Sequence, residues 1–195
     1  MKVPEILVVR RHPVAGTSHL TLTQLLCQRA DGATHWWDSV ERPRSVRDVV
    51  ALFPVTLERT VVLVEQFRPP VETRALELPA GLCDIPGELL EVAALRELRE
   101  ETGYTGEILH RTPPSAESSG TIVGRLHLFI AAAMERGEPK RDPAEAFMAP
   151  VLYEFPLDDL PAALLQYHAQ HPKNLIDPKI LTGREWWRHF EGGGT

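Results

Sequence analysis

Acidic side chains are concentrated between residues 97 and 101, the part of the sequence best suited to chemistry. Glu97, Glu100 and Glu101 follow directly after Arg96. On an α-helix, Glu97 and Glu101 would share one face, and Arg96 could hold Glu100 at i,i+4. Hard divalent cations such as Mg²⁺ take carboxylates and substrate phosphates as ligands. The spacing therefore indicates a magnesium site for a phosphate substrate, although these residues alone would equally suit a solvated helix face of mixed charge.

A helix is expected to carry these carboxylates. Between residues 88 and 102, Leu90, Ala94 and Leu98 recur every four positions, which is the helical period. Gly103 follows at the place where a glycine commonly ends a helix. The sequence therefore predicts a helix over residues 88–102.

A longer pattern surrounds these residues. Gly81 and Glu88 precede the run Arg96-Glu97-Leu98-Arg99-Glu100-Glu101-Thr102-Gly103. Together they closely resemble the box of the Nudix hydrolases. Six residues, where the family usually has five, separate Gly81 from Glu88, and we expect the loop before the helix to absorb the extra residue. Glu88 is expected to be structural or to support a metal ligand without binding the metal itself.

The resemblance implies roles for the residues of the box. Metal ligands would be Glu97, Glu101 and the backbone carbonyl of Ala80, with Glu100 close to the same ions. Glu100 and Arg96 are also assigned to catalysis. The cofactor would be Mg²⁺, with Mn²⁺ as a substitute.

Relatives also have an acidic residue after the box that binds a further metal or accepts a proton. Glu145, in a polar turn before a predicted strand, is the main candidate for both roles. Glu117 is its rival, in a serine-rich segment where relatives usually have a proline-glycine-x-serine sequence. A solvated loop carboxylate is the alternative for Glu145.

Other stretches resemble the ADP-ribose and ADP-sugar pyrophosphatase branch of the family. The resemblance covers roughly residues 20–160 and is strongest over residues 61–104. The matching stretches are residues 34–42 (Thr-His-Trp-Trp-Asp-Ser-Val-Glu-Arg), 64–70 (Val-Glu-Gln-Phe-Arg-Pro-Pro) and 76–82 (Leu-Glu-Leu-Pro-Ala-Gly-Leu). They imply substrate contacts by Trp37, Arg42 and Arg68.

Side-chain chemistry agrees with these assignments. Arg68, at a strand end before two prolines, could grip a phosphate with its planar fork, although it could also be a surface arginine in a turn. Trp37 could stack on an adenine base. Neighbouring side chains on a strand point to opposite faces, so one of Trp36 and Trp37 is alternatively a core residue.

The composition limits the class of protein. The chain has 195 residues, 43% of them hydrophobic, and a net charge of −6. This charge argues against a nucleic-acid partner, which would favour a basic surface. The start has no apolar signal-peptide core, and no stretch approaches the ~20 apolar residues of a membrane span. We therefore expect a cytoplasmic protein without a membrane partner, in which Cys27 and Cys83 are reduced thiols.

The strand pattern predicts the fold class. Strands are expected at residues 5–11, 20–28, 35–37, 49–57, 61–67, 122–133 and 147–155, and further helices at 159–168 and 176–190. This order favours an α+β fold over a parallel βαβ sheet, and the resemblance specifies a Nudix-type α/β/α sandwich of mixed β-sheet with an N-terminal antiparallel β-meander. We expect an N-terminal strand region for dimerisation and nucleotide contacts (1–45), a catalytic domain (46–191) and a flexible tail (192–195).

The expected activity is Mg²⁺-dependent hydrolysis of the diphosphate in a nucleoside diphosphate linked to a second group. ADP-ribose would give AMP and ribose 5-phosphate. The alternatives are another nucleotide sugar, such as GDP-mannose or UDP-glucose, and a non-catalytic Nudix module that senses a nucleotide. The branch typically forms homodimers through its N-terminal strands, so a homodimer is also expected.

Overall fold

A computed structural model describes residues 5–42, 46–141 and 143–193, apart from the side chains of residues 144 and 145. Its strands are β1 Ile6–Gly16, β2 Thr21–Arg29, β3 Thr34–Glu41, β4 Asp48–Thr56, β5 Thr60–Arg68, β6 Thr73–Glu77, β7 Ala80–Leu82, β8 Tyr104–Arg111, β9 Ser115–Ser118, β10 Ile122–Arg136, β11 Val151–Pro156 and β12 Leu175–Ile176. Its helices are α1 Leu90–Thr102, α2 Pro143–Phe147, α3 Leu160–Gln170 and α4 Lys179–Glu191.

The chain divides into two compact units. The first unit consists of the residues up to Val49 together with Leu82–Pro86 and Ser115–Leu126. The second unit consists of Val50–Gly81, Gly87–Pro114 and the residues from His127 onward. The predicted bounds at residues 45/46 and 191/192 stay a prediction, and the last two residues of the predicted tail lie outside the described residues.

The first unit contains the predicted antiparallel meander. β1 pairs with β2, and β2 pairs with β3 in a register that places Leu25 opposite Trp37. Gly32 has a φ of 86° in the turn between β2 and β3, which glycine adopts without steric cost. β9 and the first residues of β10 complete the unit, and Ile122 lies beside Val40 in a parallel pairing.

The second unit holds the main hydrophobic core. β4 and β5 form the predicted antiparallel hairpin, and both are rich in buried β-branched and aromatic residues. β5 also pairs with β6 and β11. β12 pairs with β6 in parallel, so the sheet is mixed.

The helix of the acidic box was predicted nearly residue by residue. Ala93, Ala94 and Leu98 are buried, and α1 packs against β5 and β8. The helix ends at Gly103, whose φ is 79° and whose N–H donates to the carbonyl oxygen of Arg99. This is the left-handed C-terminal cap that the sequence predicted.

The prediction of a strand from Phe147 was wrong in its first part. The described backbone forms the short helix α2 up to Phe147, and Ala149 then adopts a φ of 49°. β11 begins only at Val151, where the chain pairs with β5. Strands β6, β7, β9 and β12 were not predicted, since they have only two to five residues. The eight-residue strand β8 was also missed.

A buried carboxylate joins several elements of the second unit. Glu65, on β5, accepts hydrogen bonds from Tyr167, Asn174 and Arg74. Burial raises the pKa of Glu65, but the hydrogen bonds from Tyr167 and Arg74 outweigh it and bring the pKa below its ordinary value.

None of the described helices is long and apolar enough to cross a membrane.

Candidate active site

The acidic face of α1 is turned toward β7. Glu97 and Glu101 are 5% and 6% exposed, as their shared face requires. The backbone N–H of Ala80 donates to a carboxylate oxygen of Glu101 at 3.0 Å. The Glu97 carboxylate lies so close to Gly81 that a Cβ there would overlap it. A glycine at position 81 therefore has a local reason, because its backbone and the Glu97 carboxylate occupy adjoining space.

Arg96 organises the remaining carboxylates. Its guanidinium donates to both oxygens of Glu88 at 3.0 and 3.1 Å. It also donates to Glu97 at 2.7 Å and to Glu100 at 3.0 Å. The Arg96–Glu100 contact confirms the prediction from i,i+4 spacing. These bonds, that of Glu88 first, raise the pKa of Arg96, so the guanidinium stays charged. The charged Arg96 guanidinium thus holds together three carboxylates, which would otherwise repel each other.

The donor chemistry of this region fits a divalent cation. Glu97 and Glu101 are nine-tenths buried, and buried carboxylates are normally paired or bound to metal. Their oxygens lie beside the backbone of Ala80 and Gly81. Among the residues that the structure describes, no group of three or more acidic, histidine or cysteine side chains could hold a metal ion by itself. The predicted ligand set is wider, since it includes a backbone carbonyl and Glu145.

The segment before α2 is attached to the end of α1. The N–H of Lys140 donates to the carbonyl oxygen of Glu100 at 2.9 Å, and Arg141 donates to the carbonyl oxygen of Glu101. Glu145 follows four residues later in α2, and its side chain lies outside the described residues. The backbone that leads to Glu145 is therefore tied to the helix that carries Glu97 and Glu101.

Arg68 is held by a neighbouring carboxylate in the second unit. Its Nε and Nη2 atoms lie 2.8 and 2.7 Å from Oε2 of Glu77. Gln66 donates to the same oxygen at 3.3 Å. The Arg68 side chain is 42% exposed, so it keeps donors available to a ligand. The contact of Arg68 with a phosphate stays a prediction.

Trp37 and Arg42 belong to the first unit, on β3 and just after it. Trp36 and Trp37 are 43% and 51% exposed, so the alternative that one of them belongs to the core is wrong. Nε1 of Trp37 donates to the carbonyl oxygen of Gly120 at 2.7 Å, which orients the ring while it remains accessible.

Arg42 forms a fork with Glu117, the rival candidate for the acidic residue after the box. The two nitrogen–oxygen distances are 2.6 and 2.7 Å, and the bond to Glu117 raises the pKa of Arg42. A hydrogen bond to a carboxylate stabilises the charged guanidinium.

Sequence reasoning missed the partners of these arginines. Glu77 and Glu117 lie nine and 75 positions from Arg68 and Arg42, and neither distance corresponds to a helical or turn period. The contact of Glu88 with Arg96 was also missed, because Glu88 precedes the first residue of α1.

Known proteins resemble this chain in the region of the site. A family model for the NUDIX domain matches residues 45–177. An ADP-sugar pyrophosphatase of Mus musculus is 47% identical over 90 residues, which are 42% of this chain and 40% of that protein. An ADP-ribose pyrophosphatase of Bacillus subtilis is 41% identical over 93 residues, 48% of this chain and 50% of that protein. The matched region thus spans half or less of these relatives' length.

A solved structure described as that of an ADP compounds hydrolase shares the fold. It superimposes with a TM-score of 0.68 at 18% identity and covers 100% of this chain and 98% of its own. The predicted α+β fold, a Nudix-type sandwich of mixed sheet, is therefore confirmed. Since the family model also covers more than half of the chain, this protein belongs to the Nudix family.

Proposed function

We propose that this protein is a Mg²⁺-dependent pyrophosphohydrolase that cleaves ADP-ribose, or a related ADP-sugar, into AMP and a sugar phosphate. The carboxylate face of α1 carries the proposal, because two nine-tenths-buried glutamates border the backbone of Ala80 and Gly81. The relatives named for ADP-ribose and ADP-sugar pyrophosphatase activity support the choice of substrate.

In the proposed reaction, water adds to one phosphorus of the diphosphate and the bridging P–O bond breaks. When bound, a divalent cation supplies positive charge beside the phosphates and makes water more acidic. Glu97, Glu101, Glu100, Glu145 and the carbonyl of Ala80 would hold it. Oxygen donors of this kind suit Mg²⁺ and also Mn²⁺.

Side chains of the protein position the reacting groups and accept the proton released by the attacking water. Arg96 holds Glu97 and Glu100 in place through its guanidinium. Glu145 accepts the proton of the attacking water, and the attachment of Lys140 and Arg141 to the end of α1 supports this role. Glu117 is not suited to it, since both of its oxygens bind Arg42.

Three other residues are assigned to the substrate. Arg68, held by Glu77, binds a phosphate with its remaining donors. Trp37, half exposed and oriented by Gly120, stacks on the adenine. Arg42 contacts the nucleotide.

We also propose a homodimer formed through the N-terminal strands. β1 exposes the large apolar residues Ile6, Leu7, Val8 and Val9, each at least 47% accessible. Because neighbouring side chains on a strand point to opposite faces, β1 exposes apolar groups on both of its faces, and such groups support an interaction site here. Light scattering at micromolar concentration should give twice the monomer mass. An active monomer would contradict this assignment.

A hydrolysis panel tests the activity. ADP-ribose, GDP-mannose, UDP-glucose, NADH and a dinucleoside polyphosphate are incubated with the protein and Mg²⁺, and the products are separated chromatographically. We expect the highest kcat/KM for ADP-ribose, loss of activity in EDTA and recovery with Mg²⁺ or Mn²⁺.

A pair of variants makes the test specific. Glu101→Gln should lose at least ~10²-fold in kcat and stay folded, whereas the same exchange at the exposed Glu107 of β8 should leave kcat unchanged. Full activity in EDTA would refute the mechanism. Tight binding of ADP-ribose without any hydrolysis would instead identify a nucleotide-sensing module.

A further inference from the structure

The fork between Arg42 and Glu117 is more closely fitted than a surface ion pair. Each nitrogen of the guanidinium end bonds a different carboxylate oxygen, at 2.6 and 2.7 Å. The two side chains are 17% and 24% exposed. Bidentate pairs of this kind fix the plane and the direction of the guanidinium, in addition to balancing its charge.

Gly124 provides the room for this fork. A Cβ at this position would fall well inside 3.0 Å of a Glu117 oxygen and 3.3 Å from Nη1 of Arg42. Gly124 is not in a left-handed conformation that would itself demand glycine. Its lack of a side chain therefore matters for the space that the two paired groups occupy.

The backbone sets the position of Glu117 relative to Arg42. The carbonyl oxygen of Thr121 accepts a hydrogen bond from the N–H of Val40 at 2.7 Å, and Ile122 is the parallel neighbour of Val40. The same segment supplies the carbonyl of Gly120 that orients Trp37. The segment of residues 117–124 thus lies along β3 and is hydrogen-bonded to it. Because β3 leads directly into Arg42, these bonds fix where Glu117 lies relative to Arg42.

We propose that Glu117 is a positioning residue for nucleotide binding, which holds Arg42 in its binding conformation and depends on the space left by Gly124. This inference rests on the proposed contact of Arg42 with the nucleotide. The fork occupies one donor on each terminal nitrogen, and a guanidinium has five N–H groups. The Nε–H and the outward N–H of Nη2 then lie along one edge of the guanidinium plane, where they can bind a ligand in a fixed direction. A fixed arginine loses less side-chain freedom on binding, which strengthens binding without any new contact.

Glutamine at position 117 separates this role from catalysis. It keeps the size of glutamate but replaces one acceptor oxygen with an NH₂ group, which cannot accept from Arg42. Binding of ADP-ribose is measured by calorimetry in EDTA, so that hydrolysis does not interfere. Glu117→Gln should weaken binding by about tenfold, the effect of lost preorganisation, and with Mg²⁺ it should raise KM while kcat changes less than about threefold.

Two further comparisons show whether Glu117 acts through Arg42. In an Arg42→Ala background, Glu117→Gln should not weaken binding further, because the group that it positions is absent. Gly124→Ala should reproduce the weaker binding in the native background and add nothing to Glu117→Ala, where the carboxylate that it displaces is gone. This variant provides the test if Glu117→Gln proves unstable, since the added Cβ meets side-chain ends and not backbone.

Asp48→Asn is the matched control. Asp48 forms a comparable fork with Arg125 in the same unit, at 2.9 and 3.1 Å, and neither residue is assigned to the substrate. This variant should bind ADP-ribose as the native protein does.

The outcomes distinguish the inference from the proposed function. If Arg42→Ala weakens binding and Glu117→Gln and Gly124→Ala do not, the inference alone is overturned. An equal loss from Glu117→Gln with and without Arg42, or a hundredfold loss of kcat, would also overturn it. If Arg42→Ala changes neither the affinity in EDTA nor KM with Mg²⁺, or the native protein neither binds ADP-ribose in EDTA nor hydrolyses it with Mg²⁺, the proposed nucleotide contact is wrong and the inference falls with it.

Discussion

Replacing Gly81 by alanine tests the carboxylate site without changing any charged group. Gly81 adjoins the Glu97 carboxylate, and an added Cβ would lie about 1 Å closer to it than the 3.0 Å that real Cβ atoms keep from other heavy atoms. Either the carboxylate or strand β7 must therefore move by roughly this distance. The backbone φ of Gly81 is not in the left-handed region, so alanine at this position introduces the overlap without backbone strain.

The size of the effect follows from the surroundings of Glu97. The side chain is buried and accepts a hydrogen bond from Arg96 at 2.7 Å, so it cannot turn away without disturbing that contact. Overpacking of a buried site typically costs about 1–3 kcal/mol, less than the ~5–15 kcal/mol by which folded proteins are stable. The variant should therefore fold. A displacement of about 1 Å in a catalytic arrangement can cost ~10² in rate.

The assay is kcat/KM for ADP-ribose over a range of Mg²⁺ concentrations. Gly81→Ala should lower kcat/KM by ~10²-fold and raise the Mg²⁺ concentration needed for half-maximal activity. Gly137→Ala is the control in the same unit, because its Cβ would come no closer than 3.7 Å to the neighbouring atoms. Native activity and native Mg²⁺ dependence in Gly81→Ala would refute the assignment of Glu97 as a ligand beside this glycine.

Other substitutions test the remaining assignments. Glu145→Gln should lower kcat and kcat/KM together by ~10²–10⁴-fold, as loss of a general base would; a loss below tenfold would remove that role. Trp37→Ala should raise KM for ADP-ribose several-fold with little change in kcat, and an unchanged KM would exclude stacking by this ring. Glu65→Gln should lower the free energy of unfolding at neutral pH by about 2 kcal/mol, because charged hydrogen bonds are lost. Since the pKa of Glu65 is lowered by folding, its contribution is present above the unfolded-state value of about 4.3 and disappears as the pH falls through the folded value. Urea unfolding should therefore show a larger difference from the native protein at pH 7 than at pH 3; an equal difference at both would contradict this.

The elements that the sequence predicted well are those with a strong local period. Helix α1 has leucines and alanines on one face and a glycine at its end, so its formation depends little on distant residues. The β4–β5 hairpin has two β-branched runs around Glu58-Arg59-Thr60, and Arg59 takes a φ of 59° in the turn. Strands β6 and β7 have five and three residues, and they are strands because β5 and β4 offer them partners.

The site was predictable to the extent that it lies on one helix. Glu97 and Glu101 share a face because of the helical repeat, and their burial beside β7 agrees with it. The carboxylate partners of the arginines depend on strand register and on long-range pairing, as the 75 positions between Arg42 and Glu117 show. The tryptophan pair shows the same limit. A strand's alternation separates Trp36 from Trp37, but it does not determine whether either face is covered.

Each arginine assigned to the proposed hydrolase activity lies beside a carboxylate. This arrangement bears on how an acidic protein could bind an anionic substrate. Arg42, Arg68 and Arg96 each lie within 3.1 Å of a carboxylate, from Glu117, Glu77 and Glu88 respectively. The pairs of Arg42 and Arg68 are close to neutral, and Arg96 contacts three carboxylates. These guanidinium groups therefore contribute direction and hydrogen bonds more than net positive charge. The chain as a whole carries −6, which repels a diphosphate. Most of the compensating charge in the proposed complex must therefore come from the divalent cation. Substrate affinity should accordingly depend more steeply on Mg²⁺ concentration than on any single arginine. Calorimetric titrations of a non-hydrolysable ADP-ribose analogue, with and without Mg²⁺, on the native protein and on the variants Arg42→Ala and Arg68→Ala would show the opposite order if the arginines dominated.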